Sequence, residues 1–127
     1  MAKILLIEPN RVLAKTYIMA LEAAGHQVRH YARGQTAMEA ADKTSPDLVI
    51  VELQIPRHNG LEFLYEFRSY PEWQDIPVII LTVVPPHMVE QAAAMSKLRI
   101  SAYMYKPTTK LRQLLDAVNE STHVGQT

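Results

Sequence analysis

Five short apolar runs constrain the fold more than any other feature of this chain. They are Ile4-Leu5-Leu6-Ile7, a weaker run over residues 28–31, Leu48-Val49-Ile50-Val51, Val78-Ile79-Ile80-Leu81, and Tyr103-Met104-Tyr105. Three of them are continuous rather than alternating. A strand with one wet face alternates, whereas a continuous β-branched run is covered on both faces, as parallel strands are when helices pack above and below the sheet. The intervening segments have helical spacing. Residues 10–24 set Val12, Leu13, Tyr17, Ala20, Leu21 and Ala24 on one side, and Gly25 stands where a helix stop is expected. Residues 35–42 are Ala-rich, 60–70 carry Leu61, Phe63, Leu64 and Phe67, 87–98 carry Met88, Ala92 and Met95, and 109–119 carry Leu111, Leu114, Leu115 and Val118. Strand and helix alternating in this way predict an α/β fold, a doubly wound five-stranded parallel sheet with helices on both faces.

A length of 127 residues suits one domain, and 48% hydrophobic residues suffice for a real core. We expect the domain over residues 1–121 and a polar tail over 122–127, with fraying from Glu120 onward. Thirteen basic residues balance 13 acidic ones, which argues against direct binding to nucleic acid or to a membrane surface. With no cysteine there is neither a disulfide nor a thiolate, and a cytoplasmic location is expected. The first apolar run stops at Glu8 with no small-residue cleavage site after it, and no stretch is long enough to span a bilayer.

In open parallel sheets, ligands bind outside the carboxyl ends of the strands. The residues ending the runs here are Glu8, Glu52, Thr82 and Lys106. Two carboxylates, a hydroxyl and an ammonium around one crevice could hold a divalent cation or phosphoryl oxygens, and a carboxylate can accept a phosphoryl group. Strand-end acids that are merely solvated are the alternative.

This set of residues resembles the receiver domain of bacterial response regulators, a flavodoxin-like (βα)5 family that includes the chemotaxis receiver. The most specific part is 46–60, where Pro46, Asp47, the run ending at Glu52, Pro56 and Gly60 look like the third strand, phosphoacceptor position and following loop. Thr82 and Tyr103 are similar to the family's switch residues. Lys106 and Pro107 resemble its phosphate-site lysine and the proline after it, so the resemblance implies a cis Lys106–Pro107 bond.

The departures bear on function. The family places a pair of acids after the first strand to hold Mg²⁺, whereas Glu8 is followed here by Pro9, and Glu52 replaces the phosphoacceptor Asp. Mg²⁺ demands near-ideal octahedral geometry, so the resemblance implies a degraded site at Glu8 and at most weak Mg²⁺ binding, with no other cofactor. Val83, Val84 and the Pro85-Pro86 pair narrow access, and Arg99 stands where a helix-ending Gly is usual, so the turn into the last strand must be made another way. We therefore expect an atypical receiver, a pseudo-receiver acting as a signalling protein-interaction module independently of phosphorylation and not as an enzyme. A phosphorelay receiver accepting a phosphoryl group at Glu52 is the alternative, and a small-ligand binder using Lys106 is a third. An ion pair between Glu52 and Lys106 would partly mimic the phosphorylated state.

By resemblance, partners or a homodimer would use the face made by helix 4, strand 5 and helix 5, with Glu90, Lys97, Arg112 and Asp116 available for cross-pairs. The sequence fits either a stand-alone module or a piece of a longer protein. His26, His30, His58 and His87 lack metal-ligand spacing and read as surface histidines, while Trp73 reads as a cover on the core edge rather than a base-stacking platform. Tyr105, beside Lys106, is either an interaction residue or packed against a neighbouring helix.

Overall fold

The computed structural model describes residues 2–56, 59–88 and 92–123. Its strands are β1 (Lys3–Ile7), β2 (Gln27–Tyr31), β3 (Leu48–Val51), β4 (Val78–Thr82) and β5 (Ile100–Tyr105). The helices are α1 (Arg11–Ala23), α2 (Gly34–Lys43), α3 (Gly60–Arg68), α4 (Ala92–Lys97) and α5 (Leu111–His123). All strand pairs are parallel and the sheet order is β2-β1-β3-β4-β5. This is the order of a flavodoxin-like doubly wound sheet, with its switch point between β1 and β3.

Strand alternation divides the core into two layers. Leu5, Ile7, Val49, Val51, Val78 and Ile80 pack against Ala37 and Ala41 of α2 and Phe63, Leu64 and Phe67 of α3. Ile4, Leu6, Leu48, Ile50, Ile79 and Leu81 pack against Ala14 and Leu21 of α1 and Leu114 and Val118 of α5. Burial of β3 and β4 on both faces is what their unbroken apolar runs require. Trp73 lies within the first layer, stacked on Phe67 at 4.9 Å, and its indole N–H donates to Ser45 Oγ.

Several expectations need correction. The inward face of α1 is made by Ala14, Tyr17, Ile18 and Leu21, while Val12 is 77% exposed and Ala24 is also exposed. Val12 belongs to the first turn, where Asn10 Oδ1 accepts from the N–H groups of Val12 and Leu13 and so fixes the helix phase. The segment foreseen as one helix over 87–98 contains a 3-10 turn, Pro86–Met88, and the short α4, and Pro85-Pro86 accounts for the turn. β5 starts at Ile100, three residues before the apolar run. α5 extends through His123, so residues expected to fray from Glu120 are helical that far. His58, Glu90 and the tail from 124 lie outside the described residues.

Arg99 itself makes the turn into β5. It adopts φ 55°, the left-handed conformation that Gly supplies elsewhere, as Gly25 does after α1 at φ 96°. Arg68 holds this turn, its guanidinium donating to the carbonyl oxygens of Leu98 (2.8 Å), Trp73 (2.6 Å) and Arg99 (3.3 Å). Arg99 pairs outward with Asp75 at 3.1 Å.

Candidate functional site

Sheet register brings the strand ends together. Ile7 is level with Val51, so Glu8 and Glu52 leave β1 and β3 side by side, and Glu52 N–H donates to Ile7 O at 3.0 Å. Thr82 closes β4 opposite Tyr105, and Lys106 follows directly. Both glutamate side chains are 2% exposed and the Lys106 side chain is 9% exposed.

Lys106 Nζ lies 2.6 Å from Glu8 Oε1 and 2.7 Å from Glu52 Oε1, bridging the two carboxylates. Glu52 Oε1 also accepts from Val83 N–H at 3.1 Å, and its Oε2 accepts from the Thr82 hydroxyl and from Gln54 N–H at 3.1 Å. The second oxygen of Glu8 accepts from Asn10 N–H at 3.0 Å. Every carboxylate oxygen of the pair is therefore satisfied within the chain, as buried charge requires. Burial alone would push the Glu52 carboxyl up, but hydrogen bonds from Lys106, Thr82 and Gln54 N–H, with the Lys106 charge, hold it below its ordinary value. Burial likewise works against the Lys106 ammonium, and the two glutamates overcome it and raise its pKa.

Thr82 Oγ1 also accepts from Val84 N–H at 3.1 Å, and Tyr103 donates its hydroxyl to Val84 O at 2.7 Å. The carboxylate, the threonine, the β4–α4 loop and the tyrosine thus form one connected chain of bonds. Burial, then the Glu52 charge, raises the Tyr103 pKa. Val83 is 42% exposed, and it is its amide that engages the site, through Glu52 Oε1.

The anticipated residues Glu8, Glu52, Thr82, Tyr103 and Lys106 do converge, with the Glu52–Lys106 pair formed. The Glu8–Lys106 contact goes beyond the sequence reading, in which Glu8 is a cation ligand. Its signal lay in the extra methylene of Glu over Asp and in an ammonium at the same sheet end. Pro107 is exposed, and the Lys106–Pro107 bond is trans, not cis. It lies in the 3-10 turn Lys106–Thr108, closed by Thr109 N–H to Lys106 O at 3.2 Å, and a helical turn of this kind propagates through a trans peptide.

Two histidines depart from the surface reading. His26 is 9% exposed and its Nδ1 accepts from Ala2 N–H at 3.1 Å, while half-buried His30 bonds through Nε2 to Glu8 O at 2.7 Å. His87 is exposed.

The donor set does not fit Mg²⁺. The two acids have their oxygens engaged by an ammonium, a hydroxyl and amides, and Pro9 stands where a further carboxylate would be needed. Among the described residues no group of three or more His, Asp or Glu side chains gathers to hold a metal. No described helix is long and apolar enough to cross a membrane.

The fold and the residues at its strand ends define a receiver module of two-component signalling. The chain belongs to the family described as the response regulator receiver domain, whose model matches residues 4–119. It is 36% identical over 80 residues to the transcriptional regulatory protein QseB of Haemophilus influenzae, covering 63% of this chain and 35% of that protein. It is 29% identical over 79 residues to the polar-differentiation response regulator DivK of Brucella anthropi, covering 62% of this chain and 64% of that one. The match thus spans about a third of QseB and under two thirds of DivK. Among solved structures, the signal receiver domain of a histidine kinase from Syntrophus aciditrophicus superposes with a TM-score of 0.85 at 26% identity, over 98% of this chain and 92% of that one. Chemotaxis protein CheY4 of Vibrio cholerae shares the fold with a TM-score of 0.85 at 23% identity, over 95% of this chain and 98% of that one.

Proposed function

We propose that this receiver domain is a pseudo-receiver, a non-enzymatic signalling module of the cytoplasm that engages protein partners without being phosphorylated. The observation that carries this reading is the closed set of bonds around Glu52. The hydroxyl of Thr82, the amide of Val83 and the ammonium of Lys106, which would otherwise face an incoming phosphoryl group, already serve a carboxylate of the chain itself. Phosphoryl transfer depends on positioning and on a cation that neutralises developing charge, and the acids here are committed to Lys106. Glu52 then acts as a fixed negative charge that biases Thr82 and Tyr103 toward one state.

The face of α4, β5 and α5 is the surface we assign to a protein partner or a second copy of this chain. Leu111 is 39% exposed there and Tyr105 is half-buried. Arg112 and Asp116 face each other at 3.8 Å across one turn of α5, a weak exposed pair that a partner can exchange for its own charges.

Intact-mass spectrometry after incubation with phosphoramidate and excess Mg²⁺ tests the reading. The unaltered chain is expected to gain no phosphoryl group, and a Pro9→Asp, Glu52→Asp double variant to gain one. An adduct on the unaltered chain that disappears with Glu52→Gln would establish phosphotransfer at Glu52 instead.

A further inference from the structure

At the outer edge of the sheet, α1 and the end of β2 enclose an open cavity of about 460 Å³, lined by Arg11, Ala14, Lys15, Ile18, His30 and Tyr31 among others. It lies at the carboxyl end of β2, on the far side of β1 from Glu52. Arg11 and Lys15 are one helical turn apart and exposed, so both charges flank the cavity mouth. Among the described residues neither side chain has a hydrogen-bond or ion-pair partner. No acidic residue occupies the first turn of α1 to offset them. Positive charge is thus concentrated at this cavity in a chain whose formal net charge is +0.

The opposite wall is fixed. His30 is held by its bond to Glu8 O, and a carbonyl only accepts, so Nε2 is the donor of that bond. Ala14 and Ile18 supply apolar surface within the cavity and Tyr31 an aromatic edge. The volume is that of a small-molecule site, which combines apolar lining with a few charged groups.

We propose that this cavity binds a small phosphomonoester with an apolar or ring-bearing body. Arg11 presents the planar fork that matches phosphate oxygens and Lys15 adds a second charge, while the apolar lining receives the carbon body. The site is separate from the Glu52 cluster and holds whether or not Glu52 accepts a phosphoryl group.

The test is an amide chemical-shift titration of the chain with phenyl phosphate, inorganic phosphate and phenol in separate series. Saturable shifts confined to Arg11, Lys15, Ile18, His30, Tyr31 and their neighbours are expected with phenyl phosphate, with weaker binding of inorganic phosphate and of phenol. An Arg11→Ala, Lys15→Ala double variant, altered only at exposed positions, should keep its spectrum elsewhere and bind phenyl phosphate at least about tenfold more weakly. Shifts that do not saturate, shifts spread equally over Lys110 and Arg112 at the start of α5, equal affinity for inorganic phosphate, or undiminished binding by the double variant would each overturn the proposal.

Discussion

Glu8 and Lys106 stand at opposite ends of the chain, yet their side chains meet at 2.6 Å, as close as the 2.7 Å contact between Lys106 and Glu52. One ammonium therefore serves two buried carboxylates, and removing it has a larger effect than removing either acid.

Lys106→Met keeps the apolar stem but leaves the carboxylates facing each other without a cation. Breaking a buried ion pair in this way costs about 3–5 kcal/mol. Urea denaturation at neutral pH should show a loss of that order, shrinking in mild acid as one carboxyl takes up a proton. Glu8→Gln should cost less, because Lys106 keeps Glu52.

The pH profile of stability follows from the same cluster. The Glu52 pKa is held below its ordinary 4.5, so its contribution is present above that value and is lost as pH falls through the folded-state pKa. The Lys106 pKa is raised above its ordinary 10.5, so its contribution is present below that value and is lost as pH rises through the folded-state pKa. Denaturation midpoints should form a plateau bounded by these two flanks. Glu52→Gln should flatten the acid flank.

Tyr103→Phe removes the hydroxyl that donates to Val84 O and leaves the ring in place. The expected cost is about 0.5–1.5 kcal/mol, the net worth of one hydrogen bond. Hydrogen exchange should speed up at the amides of Val83 and Val84 while those of β1 keep their protection. Unchanged exchange at Val84 would mean that the tyrosine does not restrain the β4–α4 loop.

At position 99 the comparison is between two replacements. Arg99→Gly relieves a left-handed backbone that costs an L-residue about 1–2 kcal/mol, whereas Arg99→Ala retains that cost. Both lose the exposed pair with Asp75, which contributes little. The glycine variant should melt above the alanine variant by a margin worth about 1 kcal/mol, after allowance for the added freedom of the unfolded chain.

What could be read from the sequence depended on how local its cause was. The doubly buried β3 and β4 announced themselves in unbroken Val, Ile and Leu, and their register then placed Glu52 and Thr82. The Glu52–Lys106 pair followed from two strand ends and a family resemblance. His26 escaped because its partner, Ala2 N–H, lies 24 positions away and leaves no local pattern. The left-handed turn at Arg99 has no local signal, because the support for its backbone comes from Arg68, 31 positions earlier. Glu8 reads locally as a remnant beside Pro9, because its reach to Lys106 depends on the strand order that brings the ends of β1 and β5 to one side of the sheet.

Gly60 marks where α3 is docked. A Cβ there would meet Glu52 O at 2.6 Å and Leu53 Cα at 2.7 Å, both backbone atoms with nowhere to go. Its N–H donates to Leu53 O at 2.8 Å, joining the two ends of the loop at its base. Gly60 is thereby tied directly to the end of β3, with no room between helix and strand for a larger side chain. Any substitution at position 60 must push the start of α3 away from the strand end that carries Glu52, so this glycine sets how tightly the helix and the buried charges move together.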